Sequence, residues 1–157
     1  MRIVVCVKEV MDPDAVNNYA VAGRLEIGAD GKSLTQTAIP RLMNGYDEQA
    51  IEAALRLRDA GADFTLAVIS AGSDPEKMLK HAAALGAEEL ISIQVDPETL
   101  DHHAFARLLA AQIKAMGGAD LVLCGIATGP TGSLWIGSSR SSKVHLCALC
   151  MSKQYVN

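Results

Sequence analysis

The chain has 157 residues, half of them hydrophobic but only 4% aromatic, and a formal net charge of −4. That length suits one domain with its own core, and the scarcity of aromatics means a core built from Ala, Val, Leu and Ile, as in helices packed on a buried parallel sheet. The acidic balance gives no reason to expect nucleic-acid binding, and no apolar run reaches the roughly 18 residues that span a bilayer.

Arg2 to Val7 is a short β-branched run of the kind buried on both faces of a sheet, and Lys8 to Pro13 ends it. The start has neither the apolar length nor the cleavage signal of a secretory leader, so a cytoplasmic protein with reduced cysteines is expected. Gly23 to Ile27 and Ser33 to Thr37 flank Asp30-Gly31, a favoured turn dipeptide, and predict a small hairpin excursion. Asn44 is a good helix N-cap, Asp47 and Glu48 fall in the first turn, and Ile51, Ala54, Leu55 and Leu57 continue as an amphipathic helix from Tyr46 to Ala60, closed by Gly61.

A second buried strand, Asp63 to Ile69, runs into Ser70-Ala71-Gly72-Ser73-Asp74-Pro75-Glu76, where Ser73 or Asp74 caps and Pro75 suits the first helical position. The helix that follows carries Met78, Leu79, Ala82 and Leu85 on one stripe and stops at Gly86. Leu90 to Val95 is a third strand, Asp101 caps a third helix to about Met116, and Ala119 to Gly125 is a fourth strand. Strand and helix alternate, so the expected fold is α/β with a parallel sheet and right-handed crossovers.

After Gly125 the character changes. All 18 acidic residues lie at or before Asp120, six serines and three glycines interrupt the remainder, and no capped amphipathic helix follows the fourth strand. Residues 1–125 are therefore expected to form the α/β domain, and residues 126–157 an atypical Ser/Gly-rich tail that is non-native or disordered.

In an open parallel sheet, ligands bind beyond the carboxyl ends of the strands. Four segments qualify: Cys6 to Lys8, Asn44 to Asp47 at a helix start, Ser70 to Ser73, and Gly125 onward. Gly45 would let a ligand or a second backbone approach the helix end, and the Ser-Ala-Gly-Ser turn offers amides to a phosphate, although such turns also occur without ligands. The bland reading wins elsewhere. Cys147-x-x-Cys150 supplies half a zinc site and lacks a redox-motif context. His102 and His103 diverge by about 100° on a helix and cannot chelate one metal together. Glu88-Glu89 reads as a solvated edge, and Lys8 as either a phosphate contact or, more commonly for one lysine after a strand, a surface residue. His81 and His145 complete no catalytic set, so neither catalytic nor metal-binding residues are assigned.

Ile3 to Val10, Met43 to Glu48 with Ala53 to Leu57, Ile69 to Gly72, Leu79 to Ala87 and Asp120 to Gly125, in that order and spacing, make the chain resemble the β subunit of electron transfer flavoprotein over residues 1–125. The resemblance implies an adenine nucleotide α-hydrolase-like Rossmannoid sandwich. It also implies a heterodimer with an FAD-carrying α subunit, which shuttles electrons from flavin dehydrogenases to an acceptor oxidoreductase without catalytic residues of its own. AMP, or a second FAD in bifurcating relatives, would contact Cys6, Asn44, Gly45, Tyr46, Asp47, Ala71, Gly72 and Gly125. The family's usual Asn-Pro is Asn44-Gly45 here, and Ile126 to Gly132 replaces its aspartate-bearing loop, as a frameshift or misplaced stop would produce; sequencing the encoding DNA tests this. The alternative is a stand-alone adenine-nucleotide-binding module akin to universal stress proteins.

Overall fold

The computed structural model describes residues 1–29, 31, 35, 38–96 and 99–125. Its elements in order are β1 (Arg2–Val7), β2 (Glu9–Met11), α1 (Pro13–Val21), β3 (Arg41–Met43), α2 (Gly45–Asp59), β4 (Thr65–Gly72), α3 (Pro75–Leu85), β5 (Glu89–Gln94), α4 (His102–Ala115) and β6 (Leu121–Cys124). The main sheet is wholly parallel, in the order β5-β4-β1-β6. The chain thus moves outward from β1 through β4 to β5, then returns to the other side of β1 with β6. The β1/β6 boundary is where strand order reverses, the place at which open α/β sheets leave a crevice beyond their strand ends.

Alternation along β1 divides the core in two. Ile3, Val5 and Val7 pack with Ala50, Ile51 and Ala54 of α2 and with Met78, Leu79 and Ala82 of α3. Val4 and Cys6 point to the opposite face, under Phe105, Leu109 and Ile113 of α4. Both faces of β1 and β4 are therefore buried, which explains why these strands read as continuous apolar runs. The helical stripes are narrower than expected, since Leu57 and Leu85 are 42% and 39% exposed. Among the described residues no helix is long and apolar enough to cross a membrane.

Between β1 and α2 the structure adds elements that the sequence pattern did not announce. Asp12 accepts hydrogen bonds from the amides of Asp14 and Ala15 and caps α1, with Pro13 in the first turn. Asp12-Pro13 therefore starts a helix rather than merely ending a strand. The helix buries none of its residues, so it has no apolar stripe to reveal it. β2 and β3 form a separate antiparallel pair of three residues each, Glu9 opposite Met43 and Met11 opposite Arg41. Of the expected hairpin, the described residues show the Gly28–Gly31 turn and the Thr35 amide bonded to the Glu26 carbonyl. Residues 30, 32–34 and 36–37 lie outside the described set, as do the 126–157 tail and Cys147-x-x-Cys150.

At the amino ends of the strands, Arg2 and Asp120 fasten β1 to the start of β6: the Arg2 amide donates to Asp120 Oδ2 at 2.7 Å and the Asp120 amide to the Arg2 carbonyl at 2.9 Å. Glu88 and Glu89 are not a bare solvated edge. Glu88 accepts from the Leu66 amide and pairs with Arg58 at 3.2 Å, while Glu89 pairs with Arg2 at 3.3 Å.

Candidate functional site

The carboxyl ends of β1 and β6 meet the start of α2 at one buried side chain, Asp47. It sits in the first turn of α2 and is 2% exposed. Oδ2 accepts the Lys8 amide at 2.9 Å and lies 3.9 Å from Lys8 Nζ, and Oδ1 accepts the Gly125 amide at 3.1 Å. One carboxylate thus ties together residues 39 and 78 positions away. The ammonium of Lys8 is itself nearly covered, with its side chain 14% exposed. Lys8 is therefore a built part of this corner and not the surface residue expected.

Asn44 departs from the expected arrangement. It precedes α2 in extended backbone conformation and its carbonyl accepts from the amides of Asp47 and Glu48, but its side chain makes no capping bond to the helix amides. The buried side chain instead draws the Asp47 carboxyl downward, against the effect of burial. The side-chain cap expected of Asn44 is therefore not made.

Gly45 has no atom within 4 Å of where a Cβ would stand, so no close approach at that position requires glycine. Gly125 is the crowded one. A Cβ there would lie 2.2 Å from Asp47 Oδ1 and 2.8 Å from the carbonyl carbon of Tyr46. Gly125 was singled out from the sequence as the start of a strand-end loop, but not its close packing on Asp47.

Ala71 and Gly72 are strand rather than turn residues, because β5 continues the pairing through Ala71↔Ile93 and Gly72↔Gln94. Ala71 still joins Cys6, Val7, Lys8, Asp47, Phe105, Cys124 and Gly125 around a mainly apolar cleft. Tyr46, at 42% exposure, stands at the surface beside this corner. Of the eight residues singled out from the sequence, Cys6, Asp47, Ala71 and Gly125 line the cleft; Asn44 supports it from behind, and Gly45, Tyr46 and Gly72 do not line it. His103 is exposed, and His81 reaches Glu48 across α3 and α2 at 2.8 Å.

Burial dominates the electrostatics of the pair. It pushes the Asp47 carboxyl above its ordinary value, against the opposing pull of Lys8 and the amide donors, and it lowers Lys8. Between the ordinary carboxylate value and the raised one, the folded chain holds a proton on Asp47 that the unfolded chain has released. The contribution of Asp47 to stability therefore falls as pH rises through that interval and is level above it. Comparing wild type with Asp47→Asn by urea unfolding at a series of pH values from about 4 upward reads this, because groups that do not interact with Asp47 cancel. The wild-type advantage is expected to shrink with rising pH; an advantage that grows would mean Lys8 and the amides outweigh burial.

Comparison with known proteins places this corner in context. A family model described as the electron transfer flavoprotein domain matches residues 33–137 and so runs past Gly125. The electron transfer flavoprotein subunit beta of Syntrophomonas wolfei is 33% identical over 134 residues, covering 85% of this chain and 48% of that protein. The subunit beta of Megasphaera elsdenii is 30% identical over 80% of this chain and 46% of its own length. The acryloyl-CoA reductase electron transfer subunit gamma of Anaerotignum propionicum is also 30% identical, over 80% of this chain and 45% of that protein. The chain spans about half the length of the curated relatives it matches. With the family match covering more than half of its residues, the chain belongs to the electron transfer flavoprotein domain family.

Proposed function

We propose that this chain is a β-type subunit of an electron transfer flavoprotein. It binds an adenine nucleotide, AMP or the corresponding part of a second FAD, beyond the ends of β1 and β6. It pairs with an FAD-bearing α subunit and serves as a cytoplasmic carrier between flavin dehydrogenases and an acceptor oxidoreductase, with no catalytic residues of its own. The observation that carries this reading is the convergence of Cys6, Lys8, Asp47, Ala71 and Gly125 at the point where strand order reverses. Lys8 supplies positive charge beside that corner, and the start of α2 supplies the positive end of a helix dipole. The family match and the names of the relatives support the same reading. Residues 1–125 form the nucleotide-binding unit in this proposal, and the family match runs on to residue 137.

Co-expression with an α subunit encoded in the same genome tests the pairing. A yellow complex with a flavin absorbance spectrum is expected, whereas a colourless chain that never co-purifies with the partner would overturn it. Mass spectrometry of the nucleotide released on denaturation distinguishes AMP from FAD. Titration calorimetry with AMP is expected to give a Kd below about 1 mM, equivalent to roughly −4 kcal/mol. Asn44→Ala removes a buried amide beside Asp47 and should weaken AMP binding by up to about tenfold, the upper range for one hydrogen bond. Unchanged affinity in that variant would reduce Asn44 to a structural role.

A further inference from the structure

Two of the residues around the cleft are thiols, and strand pairing places them side by side. Cys6 and Cys124 are direct register partners on the neighbouring parallel strands β1 and β6. Val4, Cys6, Val122 and Cys124 belong to the α4 face, whereas Val5, Val7 and Leu123 belong to the other, so both cysteines emerge on the same side of the sheet. Both are free, and each shifts the titration of the other. Cys6 is buried, Cys124 is partly open, and both line the cleft.

Neighbouring strands run about 4.7–4.9 Å apart, inside the roughly 4.4–6.8 Å range between the Cα atoms of a disulfide. The Cβ atoms of a disulfide stand about 3.5–4.5 Å apart, so closure needs only a small inward movement. Cys124 is the last residue of an edge strand, with one strand neighbour in the described sheet, and is well placed to make it.

We infer that Cys6 and Cys124 form a thiol pair that low-molecular-weight disulfides convert reversibly into a cross-strand disulfide. This goes beyond nucleotide binding and electron carriage and does not depend on either. Cys124, the more accessible thiol, attacks one sulfur of the small disulfide. That S–S bond breaks, one half leaves as a thiolate that takes up the Cys124 proton, and a mixed disulfide remains on Cys124. Cys6 then attacks Cys124 Sγ, the mixed bond breaks, and the second half leaves with the proton of Cys6. The two protein thiols lose two electrons in total, and the small disulfide is reduced to two thiols. The interaction between the two thiols favours this order, since it holds the Cys124 thiol below its ordinary value and, with burial, pushes the Cys6 thiol up.

The full chain is incubated with oxidised glutathione, alkylated with iodoacetamide, digested and examined by mass spectrometry. A peptide joining Cys6 to Cys124 is expected, with both alkylation products lost together and both restored by dithiothreitol. In Cys6→Ser the reaction should halt at a glutathione adduct on Cys124, and Cys147→Ser/Cys150→Ser should retain the cross-link. Recovery of alkylated Cys6 and Cys124 after oxidation, or pairing of Cys124 with Cys147 or Cys150 while Cys6 stays alkylated, would overturn the inference.

Discussion

Asp47→Ala is expected to lower the free energy of unfolding by about 3–5 kcal/mol, the range for breaking a buried charge pair by removing one partner. The substitution leaves the Lys8 ammonium in its covered position without the carboxylate at 3.9 Å and deprives the Lys8 and Gly125 amides of their acceptor. Net stability of a domain is about 5–15 kcal/mol, so this one change consumes a large part of it. Urea unfolding followed by circular dichroism reads the effect as a lower midpoint at unchanged slope. Asp47→Asn keeps an acceptor oxygen and the shape of the side chain, and should fall between Ala and wild type. A loss within about 1 kcal/mol for Ala, the net worth of one ordinary hydrogen bond, would show that water replaces the carboxylate and that Asp47 does not hold the corner together.

Gly125→Ala should be the second large effect, costing about 1–3 kcal/mol as an overpacked site. The added carbon would meet Asp47 Oδ1 at 2.2 Å, and the Tyr46 carbonyl carbon and Asp47 amide nitrogen at 2.8 and 2.9 Å. The last two are backbone atoms at a helix start and cannot rotate away, so the end of β6 or the start of α2 must shift. The requirement is spatial, because Gly125 is not among the residues with positive φ. Gly72→Ala is the control: it has normal backbone and open space, and should remain within about 0.5 kcal/mol of wild type. Equal midpoints for the two variants would refute the close approach of β6 to α2.

Elements with strong local patterns were legible in the chain. Arg2–Val7 coincides with its β-branched run, α2 and α3 follow their apolar spacing, and α4 starts at the expected Asp101 cap, but neither Asn44 nor Asp74 makes the expected side-chain cap. α1 was not legible, because a helix that buries nothing leaves no stripe, and three-residue strands such as β2 and β3 are too short to show alternation. The location of the site followed from strand ends, but its organisation did not. Asp47 resembled any first-turn carboxylate, and only the pairing of β1 with β6 reveals that its oxygens face two strand-end amides. Asn44 misled as a cap: a good capping residue type makes no side-chain bond to the helix amides.

The 78-residue separation between Asp47 and Gly125 also orders events during synthesis. β1, α2 and β4 can assemble while the ribosome is still making the later helices, but the Asp47 carboxylate then has only the Lys8 side of its surroundings in place. Its second anchor arrives with β6, which pairs with β1 and closes the edge of the described sheet. The corner is thus a late-completing contact of high sequence separation, expected to contribute little to the folding rate and more to how slowly the finished chain opens. A release of β6 alone would dismantle the crevice while leaving the β5-β4-β1 layer intact, so amide exchange at Val122 to Gly125 reports directly on how often the site is unmade.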